Sequence, residues 1–232
     1  EAFKAYLAAR EAWDGGDGAW PAMSISERAA AMQKFVTLMK AKRDELVKLV
    51  LWEIAKPTKL AEAEVDRTIA YVEKTIAEAL KLEKEVFTKK EAKETFTIGR
   101  EPLGVIPIFA PYNYPLNETF TNLIPALVMG NTVIVKPAKW GVLLMRPLLE
   151  VFRDSFPPGV VNVIYGDGRE IFKRILAEGE FDALGFIGGE ASASAILKAS
   201  KKPHKIRPIL GLGAKNASII LNDADLSIAV PS

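Results

Sequence analysis

The sequence predicts an α/β protein: a doubly wound, mostly parallel sheet preceded by a helical region and a short β-ribbon. Three observations carry this. From residue 103 onward, strand-sized and helix-sized segments alternate, which is the rhythm of strand–helix–strand units. Several of the strand-sized segments, such as Val133-Ile134-Val135, are near-continuous apolar runs, as suits strands buried on both faces. Before residue 83, apolar residues instead recur at three- and four-residue spacing, the period of helices.

Residues 1 to about 82 read as a helical region. Gly15-Gly16-Asp17-Gly18 forms a loop, and Ser24 with Glu27 has the spacing of a capping box. Met32, Phe35, Val36 and Met39 follow on one face, then Leu46, Leu49, Val50 and Ile54. Lys56-Pro57 breaks the pattern, and a further helix carries Ile69, Val72, Ile76 and Leu80 on one face. These stripes are read as packing surfaces. Residues 83–101 change character. Lys84, Lys89, Lys90, Lys93 and Arg100 balance Glu83, Glu85, Glu91, Glu94 and Glu101, and Val86-Phe87-Thr88 and Thr95-Phe96-Thr97-Ile98 are β-formers. An exposed two-stranded ribbon is expected there, packed on a partner subunit or simply solvated. Residues 102–232 hold six strand candidates: 103–109, 132–135, 160–164, 183–187, 206–210 and 217–221. Helix-sized segments at 116–129, 141–155, 169–178 and 190–200 separate the first five, which makes a Rossmann-like core the expectation.

Composition narrows the chemistry. In 232 residues, 31 Lys and Arg against 29 Asp and Glu leave a net charge of +2, so no general attraction to nucleic acid or membrane is expected. There is no cysteine, which excludes disulfides, thiolate metal sites and a cysteine nucleophile within these residues. The single histidine, His204, makes a two-histidine metal site impossible, and no metal is expected. The N-terminus is charged early and has no apolar targeting region, and no apolar run approaches a membrane span, so a cytoplasmic location is the default. Residue 1 is not Met, and the sequence stops just after an apparent helix start, so a piece of a longer chain is expected.

In an open α/β sheet, ligands bind beyond the carboxyl ends of the strands. Four loops therefore matter. In Ala110-Pro111-Tyr112-Asn113-Tyr114-Pro115, two prolines stiffen the chain around Asn113, whose amide N–H can donate to a developing oxyanion; a plain turn asparagine is the alternative. In Val135-Lys136-Pro137-Ala138-Lys139, two lysines directly after a buried strand can bind ribose hydroxyls or a phosphate, or can sit in a solvated loop. Gly166-Asp167-Gly168-Arg169 allows close backbone approach and an arginine–phosphate pair, although Ile171 stands where a GxGxxG fingerprint needs its last glycine. Phe186-Ile187-Gly188-Gly189-Glu190 runs from a strand into a helix, where backbone N–H groups can hold phosphate; a tight turn is the alternative. Lys198, Lys201, Lys202, His204, Lys205 and Arg207 make the most basic stretch, read as solvated surface.

Taken in order, these pieces resemble the aldehyde dehydrogenase superfamily. Pro111-Tyr112-Asn113-Tyr114-Pro115 resembles its P-W-N-F-P, Val133-Ile134-Val135-Lys136-Pro137-Ala138 its V-x-K-P-A, and Pro158-Gly159-Val160-Val161-Asn162-Val163 its P-x-G-V-V-N. Phe186-Ile187-Gly188-Gly189 is similar to F-T-G-S, Leu212-Gly213-Ala214-Lys215-Asn216 to the end of E-L-G-G-K-N, and Asp223-Ala224-Asp225-Leu226 to D-A-D-L. Pro203-His204 before Arg207 and the Leu210-Gly211-Leu212 run further resemble NADP-dependent, non-phosphorylating glyceraldehyde-3-phosphate dehydrogenases. The resemblance spans nearly the whole sequence but only the N-terminal, cofactor-binding portion of a family chain.

The resemblance implies oxidation of a small aldehyde with NADP or NAD. In the family, a cysteine thiolate attacks the aldehyde, hydride passes to the nicotinamide, and a glutamate helps water cleave the thioester. It implies that Asn113 donates to the oxyanion. It places the cofactor against Phe109, Ala110, Pro111 and Tyr112, with Lys136, Ala138 and Lys139 at the ribose. Gly168 and Arg169 would lie on the adenine side, Ile187, Gly188 and Gly189 by the pyrophosphate, and Leu212 nearby. Lys139 stands where NAD-preferring members often have glutamate, so Lys136, Lys139 and Arg169 together favour the 2′-phosphate of NADP, with NAD possible. The ribbon at 83–101 resembles the family's oligomerisation hairpin and implies a homo-oligomer. Two departures stand out. The general-base glutamate falls on Gly211, and Gly213 holds no carboxylate either. The family's cysteine would lie beyond residue 232, so the chain alone is expected to be inactive. The alternative is a non-catalytic nucleotide-binding or assembly module.

Overall fold

The computed structural model describes residues 1–85, 87–91, 94–214 and 216–229. The sequence readings that touch Val86, Lys93, Lys215 and Val230-Pro231-Ser232 lie outside these.

The N-terminal region is four helices: α1 (Ala2–Trp13), α2 (Ile25–Ala41), α3 (Arg43–Ile54) and α4 (Thr58–Glu83). A 3₁₀ turn at Asp14–Gly16 ends α1 where Asp14 and Gly15 adopt positive φ. The expected capping box starts α2: the Ser24 side chain accepts from the Glu27 N–H, and the Glu27 carboxylate accepts from the Ser24 N–H at 2.7 Å. The apolar pattern from 32 to 54 gives no sign of the break at Lys42, where non-helical backbone divides α2 from α3. Ala55 closes α3 in the left-handed conformation just before Pro57. The helix stripes pack as expected, with Met32, Phe35, Val36, Met39, Leu46, Val50, Ile69, Val72 and Ile76 all buried.

The ribbon follows as an antiparallel pair, β1 (Phe87–Glu91) and β2 (Glu94–Ile98), with Phe96 and Ile98 exposed. The remaining chain builds β3 (Val105–Phe109), α5 (Asn117–Val128), β4 (Thr132–Lys136), a 3₁₀ turn (Leu143–Met145), α6 (Arg146–Ser155), β5 (Val161–Val163), α7 (Gly168–Glu178), β6 (Ala183–Ile187), α8 (Glu190–Ala199), β7 (Arg207–Gly211) and α9 (Leu226–Ala229). Strands β3 to β7 form one parallel sheet in the order β5-β4-β3-β6-β7. The first strand of the sheet thus lies at its centre, and the chain winds outward from it in both directions.

Side-chain alternation explains why both faces are covered. Ile106 and Ile108 of β3 and Val133 and Val135 of β4 point into a core shared with α2 to α6. Val105, Phe109, Ile134, Leu184 and Phe186 point the other way, toward α1, α7 and α8. In the first core, fully buried Phe35 stacks on Phe152 at 5.3 Å between ring centroids and touches Phe120 and Phe156. Pro125 lies inside α5 and leaves the Thr121 carbonyl without its helical donor, and the Tyr71 hydroxyl donates there instead, at 3.2 Å.

One expected strand is absent. Residues 217–221 lie outside both sheets, with Ile219 83% exposed. An apolar run of five fits a strand by composition, but a strand also needs a ladder partner, and this run takes a place in neither sheet.

Candidate functional site

The register of the sheet brings five strand ends to one edge. Phe109 pairs with Lys136 on one side and with Phe186 on the other, Val135 pairs with Val163, and Ile187 pairs with Gly211. The winding reverses between β3 and β6, so the loops after β3 and β6 diverge and leave a crevice at the carboxyl edge.

After β3, the Ala110 N–H donates to the Lys136 carbonyl at 3.1 Å. Pro111 and Pro115 are buried while Tyr112, Asn113 and Tyr114 are exposed between them. The Asn113 carboxamide has no protein partner among the described residues. Its position is set by what holds its neighbours. Thr119 donates its hydroxyl to the Pro115 carbonyl at 2.6 Å, and the Glu118 N–H donates to the Tyr114 carbonyl at 3.1 Å.

After β4, Lys136 is only 8% exposed. Burial pushes its ammonium below the ordinary lysine range, and the Asp167 carboxylate opposes this in part. No ion pair or hydrogen bond engages its ammonium among the described residues. Ala138 is half-buried, and Lys139 is exposed with its ammonium 5.2 Å from the centre of the Trp140 ring.

After β5, Gly166 takes φ 131°, a conformation side chains resist, and Asp167 then caps α7 by accepting from Arg169 N–H at 2.9 Å and Glu170 N–H at 3.2 Å. Gly168 opens the helix. Exposed Arg169 and Lys173 line a groove of about 380 Å³ between α7 and α8, with Ala191, Ser192 and Ile196 on its far wall.

After β6, the Gly188 N–H donates to the Gly211 carbonyl at 2.9 Å, and Gly189 is the N-cap of α8. A Cβ built on Gly189 meets nothing within 4 Å, so open space lies beside the N-cap of α8, where the first backbone N–H groups of a helix lack helical acceptors. After β7, Leu212 is exposed, and Gly211 and Gly213 present no carboxylate. A Cβ on Gly211 would come within 3.0 Å of Ile187 Cγ1.

The parts fit a dinucleotide phosphate ester. An open helix N-terminus suits a pyrophosphate, a buried cation without a partner suits ribose or phosphate oxygens, and a groove between two helices suits a planar base. Among the described residues, no group of three or more His, Cys, Asp or Glu is placed to hold a metal ion, and no helix is long and apolar enough to cross a membrane.

Sequence patterns passed over one part of this edge. Glu64 of α4 is fully buried, and its Oε1 accepts from the N–H groups of Leu116 and Asn117 at 3.1 and 3.3 Å. Its other oxygen pairs with Lys56, whose ammonium lies 3.4 Å from the centre of the Tyr114 ring. The available signal was a carboxylate lying within the apolar stripe of Ala61, Val65, Thr68 and Ile69.

The family model for the aldehyde dehydrogenase family matches residues 1–232. The chain belongs to the aldehyde dehydrogenase family. Among curated members, it is 34% identical over 218 residues to an NADP-dependent glyceraldehyde-3-phosphate dehydrogenase of Streptococcus equinus, covering 91% of this chain and 45% of that protein. It is 30% identical over 231 residues to a betaine aldehyde dehydrogenase of Bacillus subtilis, covering 99% and 46%. The crystal structure of an NADP-dependent glyceraldehyde-3-phosphate dehydrogenase from Bacillus halodurans, complexed with NADP, superposes with a TM-score of 0.85 at 33% identity, over 97% of this chain and 47% of that one. The chain spans about half the length of the aldehyde dehydrogenases it matches.

Proposed function

We propose that this chain is the cofactor-binding portion of an NADP-dependent aldehyde dehydrogenase. The observation that carries the reading is one sheet edge that combines a buried lysine with no ion pair or hydrogen bond among the described residues, an open helix N-terminus and an arginine- and lysine-lined groove. Likeness to NADP-dependent relatives supports it.

In this reading, Lys136, Lys139 and Arg169 hold the adenosine ribose and its 2′-phosphate, where two-point cationic contact is strongest. Gly168 lies on the adenine side, and Ala138 shapes the ribose wall. Ile187, Gly188 and Gly189 let the pyrophosphate approach the N-terminus of α8, where the helix dipole favours negative charge. Phe109, Ala110, Pro111, Tyr112 and Leu212 border the remaining length. When bound, the nicotinamide supplies a hydride acceptor. Asn113 donates its carboxamide N–H to the oxygen that becomes negative as a thiol adds to the aldehyde. The sequence has no cysteine, so that thiol would come from outside these 232 residues, and the chain alone turns over no aldehyde. Glyceraldehyde 3-phosphate is the narrower substrate reading. Residues 1–82 and 102–232 would form the cofactor domain, and the ribbon at 83–101 would pair subunits of a cytoplasmic oligomer.

Gly211 and Gly213 favour a second reading, a nucleotide-binding module without turnover, since neither can move a proton. Titration of the chain with NADP and NAD, followed by tryptophan fluorescence, tests the first element of both readings. NADP should bind more tightly; NAD binding at least as tightly contradicts the cofactor assignment. Turnover by the complete gene product then separates the two.

A further inference from the structure

We propose that Glu64 and Lys56 are positioning residues that hold the Asn113 loop in register for catalysis; this rests on the reading of Asn113 as oxyanion donor. The cap of α5 is unusual in its source. The residue at the N-cap is Leu116, which has no side-chain acceptor, so the first amides of the helix need a partner from elsewhere. Glu64, 52 positions earlier, supplies it through the Leu116 and Asn117 N–H groups. A local serine or aspartate would cap the helix with no charge buried. Here a carboxylate is placed at 0% exposure, and a lysine must follow it.

That lysine does more than neutralise. Lys56 comes from the turn between α3 and α4, and its ammonium lies over the Tyr114 ring. The pair therefore grips the loop at Tyr114, on one side of Pro115, and at Leu116 and Asn117, on the other. Asn117 is tied again through its side-chain amide to Thr68, one helical turn beyond Glu64, at 3.3 Å. Asn113 is the next residue outward, and its side chain has no hydrogen-bond partner among the described residues. An oxyanion donor works only when it is aimed before the charge develops, and a displacement of about 1 Å costs about 100-fold in rate. The brace fixes the backbone that aims it.

The test is a double-mutant cycle in the complete gene product with Glu64→Gln, Asn113→Ala and both together. The expected result is that Glu64→Gln lowers kcat by about 10- to 100-fold and leaves KM for NADP within about twofold. In the Asn113→Ala background it should add nothing, because the group it positions is gone. Full additivity of the two losses overturns the proposal while leaving Asn113 catalytic. No loss of kcat from Asn113→Ala alone overturns the oxyanion reading and the brace with it. Should Glu64→Gln fail to fold, Lys56→Met and Lys56→Arg carry the same test. Loss of kcat in the first, with recovery of most of it in the second, supports the brace; equal kcat in both at the parent level overturns it.

Discussion

Replacing Lys136 with methionine separates what this side chain costs the fold from what it contributes to binding. Lys136 is 8% exposed, and its ammonium has no ion pair or hydrogen bond among the described residues. Its burial is therefore unfavourable in the free chain, and methionine of similar length should raise the stability. The pH dependence has a definite sign. Burial holds the folded value below the ordinary 10.5, so between the folded value and 10.5 the unfolded chain binds more protons than the folded one. The cost is complete below that window and fades as pH rises through it, so the stability gap between Lys136→Met and the parent narrows toward pH 10.5. Binding changes in the opposite direction. A hydrogen bond from a charged group contributes about 1.5–3 kcal/mol, which corresponds to about a 10- to 150-fold weaker Kd for NADP. Denaturant unfolding across pH and a fluorescence titration read the two effects. A variant that is less stable and binds NADP as well as the parent would show Lys136 serving the fold alone.

Three further outcomes follow from the same geometry. Asn113→Ala should leave the unfolding midpoint of the chain unchanged, since its exposed side chain makes no hydrogen bond among the described residues, and should lower kcat of the complete gene product by about 10²–10³. Phe35→Ala removes a fully buried ring stacked on Phe152 and should cost about 3–5 kcal/mol in denaturant unfolding. Gly211→Glu should lower the thermal midpoint, because its Cβ would meet Ile187 Cγ1 at 3.0 Å, and in an Ile187→Ala background, where that atom is gone, the further loss from Gly211→Glu should be smaller.

The sheet was legible in the sequence because its central strands β3, β4 and β6 are buried on both faces and announce themselves as apolar runs. Val105–Phe109 and Thr132–Lys136 are buried at every position, and the helix between them keeps its spacing. The same signal misled at 217–221, where apolar composition is present and a ladder partner is not. The break at Lys42 was invisible because the apolar stripe continues across it, and only backbone geometry records the change of direction. At the site, glycine and proline punctuation identified the loops that carry Asn113, Lys136, Gly168 and Gly189, since turn chemistry is local. The burial of Lys136 was not legible, because a lysine after a strand reads the same whether solvated or enclosed. Glu64 and Lys56 were missed for a related reason. Their partners are 52 and 58 positions away, at Leu116 and Tyr114, and no local pattern carries that distance.

Whether NADP occupies this sheet edge is read by amide hydrogen exchange of the chain with and without NADP. Protection is expected at Lys136–Lys139, at Gly168–Lys173 and at Gly189–Ser192, the three stretches that the sheet brings to one edge. NADP binding that leaves all three unchanged, or protects only the basic stretch around Lys198–Arg207, would contradict the account.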